Sequence, residues 1–112
     1  MRLAFTTKGT KWDSQMDPRF GRAEYFLVYD EEKDELIPVS NKDVEKEAHG
    51  AGPKAAQKLA EQNVRALITG NGPGGNAATV LKKIGLDCYI KAGEMTVKEA
   101  YEAYKDNSLQ KF

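Results

Sequence analysis

The fold turns on residues 64–90. They read Val64-Arg65-Ala66-Leu67-Ile68-Thr69, then Gly70-Asn71-Gly72-Pro73-Gly74-Gly75-Asn76, then a helical stretch to Gly85, and last Leu86-Asp87-Cys88-Tyr89-Ile90. The first and last pieces are short apolar runs suited to buried strands. Between them Ala77, Val80, Leu81 and Ile84 fall at i, i+3, i+4 and i+7, one apolar face of a helix, which Gly85 stops in a left-handed cap. A strand–helix–strand crossover requires the two strands to pair in parallel. The glycine-rich piece therefore lies at the carboxyl end of a strand and the start of a helix.

Upstream, Leu3-Ala4-Phe5 reads as a strand ending at Thr6-Thr7, and Tyr25 to Tyr29 as a buried strand rich in aromatic and β-branched residues. Asp30 to Glu35 turns the chain back as Leu36-Ile37-Pro38-Val39, where Pro38 marks an edge strand. Gly52-Pro53 followed by KAAQKLAEQ predicts a helix with Pro53 at its first position. Thr96-Val97-Lys98-Glu99 is a capping box opening a last helix with Val97, Ala100, Tyr101 and Tyr104 on its inner face. The order βββαβαβα predicts an α/β fold. Its mixed five-stranded sheet has the order 3-2-1-4-5 and is flanked by three helices.

Composition agrees with one domain over residues 1–112. Hydrophobic residues make up 40% and charged residues 30% of the 112, and folding at this length removes roughly 65% of the extended chain's surface from water. Seventeen basic residues balance seventeen acidic ones, which argues against a broadly basic nucleic-acid surface. No apolar run approaches the ~20 residues of a membrane helix, and the first residues lack a signal-peptide stretch. The single Cys88 excludes a disulfide framework and suits a reducing cytoplasm; mid-strand beside Tyr89, it reads as a small core residue. One cysteine and one histidine cannot close a structural zinc site.

In such a sheet, ligands gather beyond the carboxyl ends of parallel strands. Three segments are predicted to converge there: Thr6 to Arg22, His49 to Pro53, and Gly70 to Asn76. Gly72, Gly74, Gly75 and Asn76 would bring backbone N–H groups close to an anion. Gly70 to Asn76 also contains a literal GxGxxG, with Glu94 about 20 residues further on, as a dinucleotide site would have. Against that, Lys91-Ala92-Gly93 follow the strand where the acid is expected, and Pro73 removes one N–H. Without Lys-Ser/Thr after the glycines there is no phosphate loop of the Walker type. His49 alone reads as a loop histidine or a cap; as a ligand it would offer a neutral imidazole nitrogen beside Gly50 and Gly52. Arg19 and Arg22 suit a multiply charged anion, or else pair with Asp13, Asp17 or Glu24. Trp12 reads as a loop anchor.

Asp17-x-Arg19-Phe20-Gly21-Arg22-Ala23, Phe26, Asn41, His49-Gly50-Ala51-Gly52, Thr69-Gly70-Asn71-Gly72-Pro73, Asn76-Ala77, Leu81 and Gly85 form an ordered series. With it the chain resembles the dinitrogenase iron–molybdenum cofactor biosynthesis domain family. The resemblance implies a ribonuclease-H-like fold and a non-enzymatic carrier role for an anionic metal–sulfur cluster of iron–molybdenum-cofactor or other Fe/Mo-sulfide type. It implies non-covalent binding by Arg19, Arg22, His49, Gly50, Gly52, Gly72, Gly74, Gly75 and Asn76, with His49 as metal ligand and no catalytic residue. Partners would be cluster donor and acceptor proteins in the cytoplasm, with no nucleic acid and no membrane. Two departures stand out. Gly74-Gly75 separate Pro73 from Asn76 where family members often read Gly-Pro-Asn-Ala, and the radical-SAM domain of the large members is absent from this chain. The alternatives are a nucleotide- or phosphate-binding enzyme or sensor using Gly70 to Asn76, or an interaction module without a small ligand. Nuclease chemistry is not expected, because Leu3, Phe5, Thr6 and Thr69-Gly70 place no carboxylate pair on the central strands to hold two metal ions.

Overall fold

The computed structural model describes residues 1–45 and 51–112. Ten elements follow in order: β1 (Arg2–Thr7), β2 (Tyr25–Asp30), β3 (Glu35–Ser40), α1 (Lys42–Glu45), α2 (Ala51–Glu61), β4 (Ala66–Ile68), α3 (Gly75–Lys83), β5 (Asp87–Ile90), α4 (Val97–Lys105) and β6 (Gln110–Lys111). They form one mixed sheet of order β3-β2-β1-β4-β5-β6. The expected order of the first five strands stands. The meander β1–β2–β3 is antiparallel, and β4 pairs in parallel with both β1 and β5.

Strand alternation divides the core into two layers. Ala4, Phe26, Val28, Leu67 and Cys88 face α2 and α3, meeting Ala55, Ala56, Leu59, Ala77 and Leu81. Leu3, Phe5, Leu27, Tyr29, Ala66 and Ile68 face α4 and the loop after β1, meeting Val97, Ala100 and Met16. Trp12 packs edge-on to Tyr29 at 4.8 Å and against Tyr101 at 5.6 Å, anchoring that loop on the second face. Pro38 lies in β3, the edge strand, where a missing N–H can fall on the unpaired side.

The caps follow local chemistry. Thr96 accepts from the Glu99 N–H at 3.2 Å while the Glu99 carboxylate accepts from the Thr96 N–H at 2.9 Å, completing the box at the start of α4. At the end of α3, Gly85 takes φ +72°. Its N–H reaches Lys82 O and that of Leu86 reaches Leu81 O, the paired bonds of a Schellman motif.

Three details depart from the expectations. The described α2 includes Ala51 and Gly52, so Pro53 sits within its first turn and not at its first position. A one-turn helix, α1, follows β3. A sixth strand of two exposed residues pairs antiparallel with β5 and is extended by the Phe112 N–H bonding Cys88 O at 2.8 Å. Two polar residues carry no hydrophobic pattern from which to read a strand.

Candidate functional site

The carboxyl ends of β1, β4 and β5 lie along one edge of the sheet, and the loop after β1 crosses it. The Asp17 N–H donates to Thr6 O at 2.7 Å, and the Thr6 hydroxyl donates to Asp17 O at 2.7 Å and shares a 2.8 Å bond with the Thr69 hydroxyl. The Asn71 N–H donates to Pro18 O at 2.7 Å, tying this loop to the glycine-rich segment. Further along, Phe20 enters the core layer that holds Ala77 and packs at a tilt against Phe26, the ring centroids 5.7 Å apart. Asn41, fully buried, donates from its amide to Gly21 O at 2.9 Å and Ala23 O at 3.0 Å, while its Oδ1 has no protein partner. The loop bearing Arg19 and Arg22 is thus fixed at both ends.

Asp17 is the electrostatic centre of that loop. Its side chain is wholly buried and accepts three bonds from Arg19: from the backbone N–H at 2.9 Å, Nε at 3.0 Å and a terminal nitrogen at 2.8 Å. Burial alone would raise the Asp17 carboxyl. The Arg19 hydrogen bonds and the charges of Arg19 and Lys8 outweigh it and hold the group below its usual range. Of the three partners weighed for Arg19, Asp17 is the one realised. The Arg19 guanidinium remains half exposed at the edge, with much of its charge balanced by Asp17.

The glycines divide into two kinds. At Gly70 a Cβ would lie 2.6 Å from Pro18 Cα and 2.8 Å from Gly93 Cα; at Gly72 it would strike the Phe112 ring at 2.1 Å; at Gly52 it would meet Ala77 Cβ at 2.9 Å. These three permit close packing. The Gly52 contact sets the first turn of α2 against that of α3. Gly74 and Gly75 differ. A Cβ on either would meet nothing within 4 Å, and Gly74 has φ −65°, open to any residue. Gly85 is the described glycine with positive φ. The start of α3 also lacks a side-chain cap and an acidic residue in its first turn. The first N–H groups of a helix have no partner within it and carry the positive end of its dipole, and here, among the described residues, no side chain caps them.

Cys88 is buried, and desolvation pushes its thiol up to about 12, so it stays protonated and offers no thiolate. Among the described residues no group of three His, Cys, Asp or Glu side chains is placed to hold a metal ion.

A family described as dinitrogenase iron-molybdenum cofactor matches residues 1–107. The chain belongs to it. Within the family's fold, the apo form of the orange protein from Desulfovibrio gigas superposes with a TM-score of 0.93 at 33% identity, over 99% of this chain and 92% of that one. A Thermotoga protein assigned as NifB superposes at 0.83 with 38% identity, over 98% and 91%. An uncharacterized protein of Methanocaldococcus jannaschii is 31% identical over 106 residues, 89% of this chain and 85% of the relative.

The structure brings Gly52, Gly72, Gly74, Gly75 and Asn76 to the edge that the Arg19–Arg22 loop crosses. His49 and Gly50 lie outside the described residues. Sequence reading gave no role to two edge residues. Asn41 acts through a tertiary contact 20 residues away, and Lys91 takes an unusual backbone conformation, φ +74°, that its residue type does not announce.

Proposed function

We propose that this family member binds and carries an anionic metal–sulfur cluster, of iron–molybdenum-cofactor or related Fe/Mo-sulfide type, held non-covalently at the carboxyl edge of its sheet. The observation that carries the reading is the pair Gly74-Gly75. Neither φ nor packing requires glycine there, and both keep the approach to uncapped amides clear. The residues fit such a cargo. Backbone N–H groups of α3 donate to its anionic surface, Arg19 and Arg22 add positive charge at the edge, and His49 supplies the one imidazole. The protonated Cys88 takes no part. Few protein–metal bonds mean easy release, as passing a cluster from donor to acceptor proteins requires. The chain thus acts by binding, not turnover, and a cytoplasmic setting suits its single buried thiol. No helix among the described residues is long and apolar enough to cross a membrane.

Metal and sulfide analysis of protein purified without oxygen tests the reading directly: bound metal with acid-labile sulfide is expected. Stabilisation by nucleotides alone in thermal-shift assays would favour the phosphate-binding alternative. Gly75→Val is expected to leave stability within about 1 kcal/mol, because the Cβ enters open space and Val costs little relative to Gly in a helix, while weakening cluster affinity about tenfold. Unchanged affinity would assign the glycines to the turn alone. His49→Ala should also fold normally and hold the cluster more weakly in anaerobic absorbance titration; equal affinity would remove His49 from the site.

A further inference from the structure

The strand β6 is weakly held. Both of its residues, Gln110 and Lys111, are exposed, and their ladder to β5 is extended only by the Phe112 N–H on Cys88 O at 2.8 Å. The Lys111–Asp87 ion pair at 3.3 Å joins two exposed side chains, and such pairs contribute little. Residues 110–112 also lie beyond the stretch that matches the family, 1–107. Yet Phe112 is fitted to the glycine loop, Gly70 to Asn76. The pairing of Tyr89 with Lys111 sets Phe112 opposite Cys88. Its ring, 57% exposed, lies against Gly72, where a Cβ would come within 2.1 Å of the ring's Cε1. It is this ring that requires a glycine at 72. Phe112 and Lys111 also wall a recess of about 480 Å³ that reaches Pro73, Leu81, Leu86 and Cys88, so one side of the segment faces space and not packed side chains.

We infer that residues 110–112 form a detachable strap. Closed, its Phe112 ring holds the glycine loop through Gly72 and shields Cys88; open, it releases the loop and uncovers the thiol. Few buried contacts and solvent-exposed backbone bonds are what let a segment open locally while the rest of a chain stays folded. Strap and loop meet at a single side-chain contact, so a change that displaces the ring frees the loop, and a change that fills the loop expels the ring. The obstacle at Gly72 is the far end of an exposed side chain, which can swing out. The strap is independent of the proposed cargo, and its test uses the ligand-free chain.

The rate at which N-ethylmaleimide labels Cys88 in the full chain, read by mass and set beside urea and thermal unfolding, tests this. While buried, the thiol is protonated and inert, so labelling reports opening. The parent should label at a rate that barely changes with urea below the unfolding transition, because opening the strap exposes little surface. Phe112→Ala and Gly72→Ala should each label about tenfold faster, the effect expected of a half-buried aromatic ring. Each should stay folded, with Tm lower by about 5 °C. The double variant should label no faster than either single one, the mark of a shared contact. Lys111→Glu, which sets like charges together at Asp87, should label about threefold faster. Parent labelling that rises with urea as steeply as global unfolding would overturn the strap, as would Phe112→Ala labelling at the parent rate. Accelerations that multiply in the double variant would overturn its coupling to the glycine loop.

Discussion

Gly70→Ala is expected to lower stability by about 3 kcal/mol, the upper end of what overpacking costs, and Tm by about 10 °C. The added carbon would lie 2.6 Å from Pro18 Cα and 2.8 Å from Gly93 Cα, and both obstacles are backbone. Neither can retreat without stretching the Asn71–Pro18 bond at 2.7 Å or the Lys91–Gly70 bond at 2.8 Å. One methyl group would therefore pry apart the loop after β1, the glycine loop and the turn after β5 together. Gly74→Ala, four residues on, meets nothing within 4 Å and should change stability by less than about 0.5 kcal/mol. Urea unfolding of the two variants makes the comparison. Similar losses for both would mean that the edge is not packed as described.

The second large effect belongs to Asp17. Asp17→Asn keeps the shape and one carbonyl oxygen but loses the charge and the second acceptor, setting a buried amide NH2 against the Arg19 donors. A loss of about 2 kcal/mol is expected. The sign of its pH dependence follows from the carboxyl being held below its ordinary 3.8 in the folded chain. Its stabilisation is complete above that value and is lost as pH falls from there through the lower folded value. The parent should therefore lose its advantage over Asp17→Asn on acidification through this window, and keep it undiminished between pH 5 and 7. A constant difference down to pH 2 would show that Asp17 acts through shape and not through charge.

Much of the architecture was legible because it is written locally. The apolar run Tyr25 to Tyr29, the Thr96–Glu99 box and Gly85 after an amphipathic stretch each state their structure within a few residues. The sheet order followed from one crossover and one hairpin chain, not from any long-range signal. What stayed hidden depends on contacts between distant segments. Gln110–Lys111 is a strand only because β5 offers an edge. Asp17, and not Asp13 or Glu24, takes Arg19 because a turn points its carboxylate at the Arg19 N–H two residues on. The glycine loop announced itself by composition, yet composition did not distinguish the glycines that pack, Gly70 and Gly72, from those that stand clear, Gly74 and Gly75. Lys91 gave no sign, since lysine in the left-handed region is an outcome of the two bonds that hold it there, Lys91 N–H to Gly70 O and Ala92 N–H to Thr69 O.

The borders of the sheet carry a last consequence. Pro38 interrupts the donor row of β3, and the opposite border is β6, two residues long. Neither side offers a long, regular template, so a second polypeptide gains little by lengthening the sheet, and end-to-end stacking of copies into filaments is disfavoured. On the proposed carrier reading, a protein that exchanged cargo with this one would meet it through loops and helices. The loops after β1, β4 and β5 meet at the rim where Pro18, Gly70 and Gly93 pack together, and on that reading docking and unloading would share this one small platform.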